Sequence, residues 1–374
     1  MHHALHNDRA LFRDIDVFDP SYLPERLHHR DAQIQDLSFC IYPALRGGTP
    51  LNAILRGPPG AGKTATVRSI FAELIEEPQG IIPVYVDCRQ DHTHSAVYRR
   101  IFEEIFGHAP PQHTDEVLDG IAARLRDTGA RLLVCLDDAD YLIAAGTYNL
   151  LLYQLLRLYE KWNGVRGAGI FAVTSDLGLN LYAEADGAVR SVFHPHEITF
   201  WPYAKTEIRD ILGDRVQKGL CPGVMPKVRL ERIVDIVADE QDIRVGIDLV
   251  REAARRAGRE GRRKVTRDDV EAVAGEAIAQ ALAARTAALS PGERALLYRI
   301  AEQSLAGGDM IAGSAFEGMQ DCVTTEKTIY HARLRRLAGT GIIDLLWTGK
   351  GREIILRYSP EEVFSACTGE GCTQ

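Results

Sequence analysis

Eight residues in the first fifth of the chain constrain its fold more than any other segment. They read Gly57-Pro58-Pro59-Gly60-Ala61-Gly62-Lys63-Thr64 and fit the pattern G-x-x-x-x-G-K-[ST]. An apolar segment, residues 51–55, precedes them, and residues 64–75 follow with apolar side chains at helical spacing. A strand, a glycine-rich loop and a helix in this order predict a phosphate-binding loop.

Each residue type in this loop has a chemical reason to be there. The glycines let backbone N–H groups approach phosphate oxygens, and the start of the next helix adds partial positive charge. Lys63 is predicted to reach the outer phosphates, and the Thr64 hydroxyl is predicted to ligate Mg²⁺. We therefore expect ATP or ADP to bind along the whole loop and at Ala65, which follows it.

The composition is that of an ordinary soluble protein with room for two or three domains. The chain has 374 residues and a formal net charge of −8, so any nucleic-acid-binding surface must be a local basic patch. Residues 251–267 hold eight Lys or Arg and two Glu, and residues 327–357 hold seven Lys or Arg and two acids. Such runs are also typical of solvated surfaces, so they do not decide the function alone.

The seven cysteines are scattered and include no C-x-x-C pair, which is typical of a reducing compartment. Cys367 and Cys372 are predicted to lie in a disordered polar tail. The chain contains no apolar run of about 18 residues and no signal-peptide pattern. We expect a cytoplasmic protein that does not enter the membrane.

Strands and helices alternate over residues 17–200. Five strands are predicted at residues 51–55, 82–86, 132–136, 170–173 and 197–200, and helices at residues 96–106, 114–127 and 148–162. This alternation predicts an α/β fold, with a parallel sheet covered by helices.

The strands stop near residue 205, and helices follow, most clearly at residues 229–239, 245–257 and 266–284. After a turn at Ser290-Pro291-Gly292 come a helix at 293–304, a loop, a helix at 325–338, and strands at 342–347 and 353–358 joined by a glycine-bearing hairpin. This order predicts a winged helix-turn-helix. The predicted domains are an amino-terminal tail (1–16), the nucleotide-binding domain (17–200), a helical lid (201–286), the winged helix (287–366) and a tail (367–374).

An acidic pair, Asp137-Asp138, follows the apolar segment 132–136. A buried parallel strand presents such acids at its carboxyl end, where open α/β sheets bind ligands. Asp137 is placed to hold Mg²⁺, and Asp138 to orient or deprotonate an attacking water. The alternative is a turn that merely caps the strand, but the phosphate loop upstream favours the metal site.

Several segments together resemble a known family. They are residues 17–30 (VFDPSYLPERLHHR), 200–203 (FWPY), 211–215 (ILGDR) and 241–244 (QDIR). From about residue 12 to about residue 365 the chain resembles the archaeal replication initiators that are related to eukaryotic origin-recognition and cell-division-control proteins. The phosphate loop alone would indicate only an AAA+ ATPase.

The resemblance implies an AAA+ domain, a lid and a winged helix, with further site residues. Tyr22, Leu23 and Pro24 are expected near the adenine, and Tyr203 and Arg215 in the nucleotide pocket. Arg244 matches the sensor arginine, which forms charge-assisted bonds to the terminal phosphate only when that phosphate is present. The alternative for Arg244 is a surface arginine at a helix start.

Three positions depart from the family pattern. Asp138 stands where the family usually has Glu, and a carboxylate displaced by about 1 Å can cost roughly 100-fold in rate. Ser175 stands at the first sensor, which is usually Asn. Ala188 stands where an arginine finger is expected, and the alternatives are that Arg190 substitutes for it or that the chain has no finger. We infer a weak ATPase, in which ATP serves mainly as a conformational ligand.

One face of the predicted helix 325–338 is apolar, with Tyr330, Leu334 and Leu337. The second helix of a winged helix-turn-helix lies in the major groove, where Arg pairs with guanine. The hairpin tip can reach the backbone or the minor groove. The predicted DNA-binding residues are therefore Thr325, Thr328, Arg335, Arg336, Lys350 and Arg352. A winged helix that binds protein is the alternative.

Together with the resemblance, these features predict an initiator that binds double-stranded origin DNA in the nucleoid. The resemblance also implies recruitment of the replicative minichromosome maintenance helicase and self-association on DNA. Two alternatives stay open. One is a divergent paralogue that regulates replication or transcription, and the other is an AAA+ signalling switch whose winged helix binds protein.

Overall fold

The computed structural model describes residues 11–76, 80–319, 327–349 and 351–368. They form two compact units, one ending at Val265 and the other beginning at Thr266. The first unit carries the phosphate loop, and the second carries the predicted winged helix.

A five-stranded parallel sheet forms the centre of the first unit. Its strands are β1 (Ala53–Arg56), β2 (Ile81–Asp87), β3 (Arg131–Asp137), β4 (Gly169–Thr174) and β5 (His196–Thr199). They lie in the order β2-β3-β4-β1-β5, and every neighbouring pair is parallel. All residues of β3 and β4 are buried, as expected for a sheet covered on both faces. The predicted parallel α/β sheet is confirmed.

Helices cover the sheet, and a segment made only of helices follows β5 in the chain. A short 3₁₀ helix (Asp16–Phe18) comes first. The α-helices of the sheet region are α1 (Asp31–Leu45), α2 (Lys63–Glu76), α3 (His94–Phe106), α4 (Thr114–Thr128), α5 (Asp140–Ala144), α6 (Tyr148–Leu156), α7 (Leu158–Lys161), α8 (Leu181–Glu184) and α9 (Gly187–Arg190). The helical segment that follows β5 contains α10 (Lys205–Gly219), α11 (Lys227–Glu240) and α12 (Ile243–Arg259).

Alternate residues of each strand point to opposite faces of the sheet, so this unit has two cores. On one face, Ile54 and Val134 belong to a buried cluster with residues of α3, α4 and α6. On the other face, Leu55 and Leu133 belong to a buried cluster with residues of α1 and α2. Both faces are therefore occupied by helices, and the strand ends are left for ligands.

Two differences from the predicted helices have local causes. The single helix predicted at residues 148–162 is wrong, because Arg157 leaves the helical conformation (φ −114°, ψ 23°) and separates α6 from α7. Helix α1 was not predicted. It contains Pro43 in its last turn, and proline inside a segment argues against a helix.

The second unit consists of helices and one antiparallel hairpin. Its elements are α13 (Arg267–Ala287), α14 (Pro291–Leu305), α15 (Ala312–Met319), α16 (Lys327–Gly339), β6 (Ile343–Thr348), β7 (Gly351–Leu356) and α17 (Pro360–Thr368). Ser290 begins α14 with a capping box to Glu293. The strands β6 and β7 pair with Trp347 opposite Arg352. Helices α14, α15 and α16 followed by the hairpin give the element order expected for a winged helix.

The structure corrects two predictions for this unit. The loop predicted after residue 304 contains helix α15. Cys367, predicted to lie in a disordered tail, is buried in α17 and shares a core with Leu296 and Leu297 of α14. Cys372 lies outside the described residues. No helix in the described part of the chain is both long and apolar enough to cross a membrane.

Candidate nucleotide-binding site

A cavity of about 690 Å³ opens at the carboxyl ends of the strands, between the phosphate loop and the helical segment. Most residues predicted to bind or hydrolyse nucleotide line it: Tyr22, Leu23, Pro24, Pro59, Gly60, Gly62, Lys63, Thr64, Ala65, Asp138, Ser175, Tyr203, Arg215 and Arg244. Gly57, Pro58, Ala61 and Asp137 are not among the lining residues. The structure thus brings residues from distant parts of the sequence to one cavity.

Glycines give the phosphate loop its shape. Gly60 and Gly62 have φ angles of +73° and +85°, which residues with a Cβ rarely adopt. A Cβ atom at Gly57 would collide with the Phe200 carbonyl. Helix α2 begins at Lys63, so the unpaired N–H groups of its first turn are available to an anion at the loop.

Lys63 is held by its own loop in this structure. Its Nζ donates to the carbonyl oxygens of Gly57 at 2.7 Å and Pro58 at 2.9 Å. Burial lowers the pKa of the Lys63 ammonium to about 8, against the opposing pull of nearby carboxylates. A phosphate in the cavity would give this ammonium a charged partner in place of two neutral carbonyls.

Two hydroxyl groups converge on Asp137 at the end of β3. Thr64 Oγ1 donates to Asp137 Oδ2 at 2.7 Å, and the Tyr85 hydroxyl donates to the same oxygen at 2.5 Å. With its proton directed to Asp137, the Thr64 oxygen keeps its lone pairs for a cation. A hydroxyl and a carboxylate are hard oxygen donors, so these residues fit Mg²⁺ that is also held by phosphate and water. Sequence reasoning did not identify Tyr85.

Asp138 lines the cavity with a left-handed backbone (φ +52°). Burial raises the pKa of its carboxyl above the ordinary value, and Asp137 and Asp140 add to the rise. Arg89 Nε lies 3.8 Å from Asp138 Oδ2 and donates to the Tyr141 hydroxyl at 3.2 Å. Arg89 and Asp140 also line the cavity, although no sequence pattern marked them.

The predicted substitute for an arginine finger lies outside the cavity. Arg190 donates through Nε to the Ala185 carbonyl at 2.5 Å and through Nη2 to the Ala183 carbonyl at 3.0 Å. It is not among the cavity residues of its own chain. Ala188 lies in the same short helix, α9.

Arg244 reaches the cavity from the start of α12 and is paired with Asp242. Its guanidinium donates through Nε to Asp242 Oδ1 at 2.9 Å and through Nη2 to Oδ2 at 2.5 Å. The hydrogen bonds to Asp242 raise the pKa of Arg244. The same carboxylate caps α12 through the Arg244 backbone N–H and lies against the phosphate loop, where a Cβ at Gly60 would collide with it.

The opposite side of the cavity is built around Tyr22 and Arg215. The Arg215 guanidinium lies 4.5 Å from the centre of the Tyr22 ring and donates to the Val17 carbonyl at 2.6 Å. Burial lowers the pKa of Arg215. Arg215 thus fixes the segment that carries the predicted adenine contacts.

In the second unit, the structure exposes the predicted DNA-binding residues that it describes. Thr328, Arg335, Arg336 and Arg352 are exposed, whereas Tyr330, Leu334 and Leu337 of α16 are buried. Thr325 and Lys350 lie outside the described residues. Sequence reasoning missed Trp347, which is 76% exposed and lies 5.0 Å from the Arg352 guanidinium.

A phosphate loop on a parallel sheet is common to many nucleotide-binding proteins, but a helical segment that adds an arginine to the same cavity narrows the class to AAA+ proteins. The family models agree with this class. Residues 46–175 match the AAA domain, and residues 209–275 match the Cdc6 AAA+ ATPase-type lid domain.

The whole chain belongs to the ORC1-type DNA replication proteins, which confirms the resemblance seen in the sequence. It is 38% identical to ORC1-type DNA replication protein 6 of Halobacterium salinarum, over 94% of both chains. It is 36% identical to ORC1-type DNA replication protein 2 of Methanosarcina acetivorans, over 97% of this chain and 98% of that protein. The structure of the Aeropyrum pernix ORC1 protein in complex with DNA is also similar, with a TM-score of 0.68, 26% identity, and coverage of 96% of this chain and 97% of that chain.

Proposed function

We propose that this protein is an ATP-controlled initiator of DNA replication that binds duplex DNA at origins. The observation that carries the nucleotide part is that Lys63 of the loop and Arg244 of the helical segment line one cavity. A single nucleotide can therefore contact both and link them. The relatives named DNA replication proteins and the DNA complex of the Aeropyrum pernix protein support the DNA part.

Nucleotide binding would replace contacts that exist in this structure with contacts to phosphate. Lys63 would leave the Gly57 and Pro58 carbonyls for phosphate oxygens, and Arg244 would leave Asp242 for the terminal phosphate. Thr64 and Asp137 would hold Mg²⁺, which supplies positive charge to the phosphates when it is bound.

Hydrolysis is proposed to be slow, so that ATP acts as a switch. Asp138 is one methylene shorter than Glu, and its raised pKa reflects burial beside two other acids. Ser175 has a shorter reach than Asn, and Ala188 supplies no guanidinium. Each change weakens a catalytic contact, while the residues that bind nucleotide are intact.

DNA binding is proposed for the exposed face of α16 and for the hairpin. Arg335 and Arg336 are placed for the major groove, and Arg352 beside Trp347 for the backbone or minor groove. On DNA, the protein is proposed to associate with further copies of itself and to help recruit the minichromosome maintenance helicase.

A protein-binding second unit is the other candidate function, and one observation favours it. Leu346 and Ile355 are 52% and 37% exposed. They occupy neighbouring positions on one face of the hairpin. Exposed apolar side chains of this size are typical of surfaces that bind proteins.

Reversing two charges on α16 separates these functions. The double variant Arg335→Glu with Arg336→Glu should abolish duplex binding in an anisotropy titration at fixed salt and leave ADP affinity unchanged. The double variant Arg124→Glu with Arg126→Glu makes the same change in net charge on exposed positions of α4, outside both basic runs, and it serves as the control. Duplex binding that survives in the α16 variant, or is lost equally in the control, would refute the assignment of α16 to DNA.

A further inference from the structure

Arg30 is a buried cation beside the phosphate loop. It directly precedes α1 and is 4% exposed. Its guanidinium donates to three backbone carbonyls, those of Ala61, His29 and Trp201, each at 2.9 Å. No carboxylate of the described residues lies within ion-pair distance of it. A charge buried in this way is costly unless another group of opposite charge comes near.

The three hydrogen bonds of Arg30 connect the phosphate loop to the residues between β5 and the helical segment. Ala61 is the middle residue of the loop's Gly-Ala-Gly, and Trp201 follows β5. The guanidinium also lies 3.7 Å from the centre of the Tyr203 ring. The Tyr203 hydroxyl in turn lies against the loop, 2.5 Å from where a Cβ at Gly62 would be. Arg30 and Tyr203 therefore both hold the loop, Arg30 through the Ala61 carbonyl and Tyr203 at Gly62.

The direction of the Ala61 carbonyl matters for phosphate binding. The Ala61 carbonyl accepts from Arg30 Nε at 2.9 Å, and neither Ala61 nor Arg30 is among the residues that line the cavity. A loop that binds phosphates must present N–H groups and withdraw its carbonyl oxygens, because the latter repel phosphate. The hydrogen bond to Arg30 holds this arrangement at Ala61.

We propose that Arg30 is a positioning residue for the nucleotide phosphates. It holds the Ala61 carbonyl behind the loop and supplies a positive charge for which bound phosphate is the counter-ion. This inference rests on the proposed nucleotide binding of the same cavity. It assigns to Arg30 a role in nucleotide affinity in addition to a role in folding.

Arg131 offers a matched control. It is also buried (8% exposed), and it also donates to backbone carbonyls, including that of Gly48 at 2.8 Å. However, it lies at the amino end of β3, at the other end of the strand from Asp137. Its replacement removes a similar set of hydrogen bonds without removing a charge from the loop.

The experiment compares Arg30→Met, Arg30→Lys and Arg131→Met with the unaltered chain. A fluorescent ADP analogue gives the dissociation constant, and the melting temperature without nucleotide reports folding. Arg30→Met should weaken ADP binding about tenfold, because it removes one unit charge beside the loop in surroundings with an effective dielectric constant of about 20. Arg131→Met should lower the melting temperature and leave the affinity unchanged. Arg30→Lys keeps the charge and should restore part of the affinity.

The outcomes separate the proposal from a purely structural role. Equal ADP affinity in Arg30→Met and the unaltered chain would overturn it. So would a lower melting temperature for Arg30→Met with an unchanged stabilisation by ADP, as in Arg131→Met. If Arg30→Met does not fold, Arg30→Lys decides, because a lower ADP affinity with an unchanged melting temperature supports the positioning role and an affinity equal to that of the unaltered chain overturns it. Failure of the unaltered chain to bind ADP would instead refute the proposed nucleotide binding.

Discussion

Changing Asp242 to Asn tests whether ATP must displace the Asp242 carboxylate from the Arg244 guanidinium. Asp242 Oδ1 accepts from the Arg244 backbone N–H at 3.0 Å, which caps α12, and both carboxylate oxygens accept from the guanidinium. Asparagine is an equally good capping residue, because its side-chain oxygen can accept the same backbone bond. The substitution therefore removes the charge that retains the guanidinium and leaves the helix capped.

The size of the effect follows from the geometry and exposure of this pair. The Arg244 side chain is 65% exposed and that of Asp242 is 15% exposed, so water screens their attraction. Exposed pairs contribute about 0.2–1 kcal/mol, and two parallel hydrogen bonds place this pair near the upper value. If the terminal phosphate has to replace Asp242 as the partner of Arg244, the substitution removes about 1 kcal/mol of attraction that opposes this exchange. ATP affinity then rises about fivefold relative to ADP affinity.

The ratio of ATP to ADP affinity is the quantity to measure, by calorimetry with Asp242→Asn, Arg244→Gln and the double variant. The ratio is needed because the Asp242 carboxylate also lies against Gly60, and removing its charge should improve the binding of both nucleotides. Asp242→Ala is the control for the cap and should cost about 1 kcal/mol of stability. An unchanged ratio in Asp242→Asn would refute the reasoning, as would a change of equal size in the Arg244→Gln background.

Three further predictions concern Lys63 of the loop and the shorter acid, Asp138. Because burial lowers the pKa of Lys63 to about 8, ADP affinity measured by fluorescence should fall as the pH rises through that value, and a profile that is no flatter in Lys63→Arg would contradict this. The sign is opposite for folding. Between about 8 and 10.5 the unfolded chain binds more protons at this lysine, so urea denaturation of the nucleotide-free protein should show that the Lys63 contribution to stability rises with pH. Asp138→Glu should speed single-turnover hydrolysis about 10- to 100-fold, with Asp138→Asn as the inactive control, and an unchanged rate would show that the reach of this acid is not limiting.

Local patterns in the sequence were sufficient to predict the sheet and one side of the nucleotide-binding site. Strands β1 to β4 each contain a short apolar run, and the motif from Gly57 to Thr64 specifies its own backbone through its glycines. The end of β3 followed from the same reasoning, because Asp137 comes directly after an apolar run. The structure places Asp137 next to Thr64 through a hydrogen bond of 2.7 Å.

The other side of the site depends on contacts between residues that are far apart in sequence. Arg30 and Ala61 are separated by 31 positions, and Arg30 and Trp201 by 171 positions. Tyr85 looks like any aromatic residue of a strand until the register of β2 against β3 places it beside Asp137. Such roles arise from tertiary packing, and neither periodicity nor spacing carries a signal for them.

The contacts around the cavity indicate which part of the first unit responds to nucleotide. The end of β3 is fixed, since Asp137 is the last residue of a fully buried strand and already accepts from Thr64 and Tyr85. The contacts that phosphate would replace are those of Lys63, which lies within the loop, and the pair Arg244–Asp242, which lies on the helical segment. Because Asp242 lies against Gly60, a phosphate at the loop must act on α12 as well as on Lys63. We therefore expect nucleotide binding to move α12, and slow hydrolysis would make each bound state long-lived.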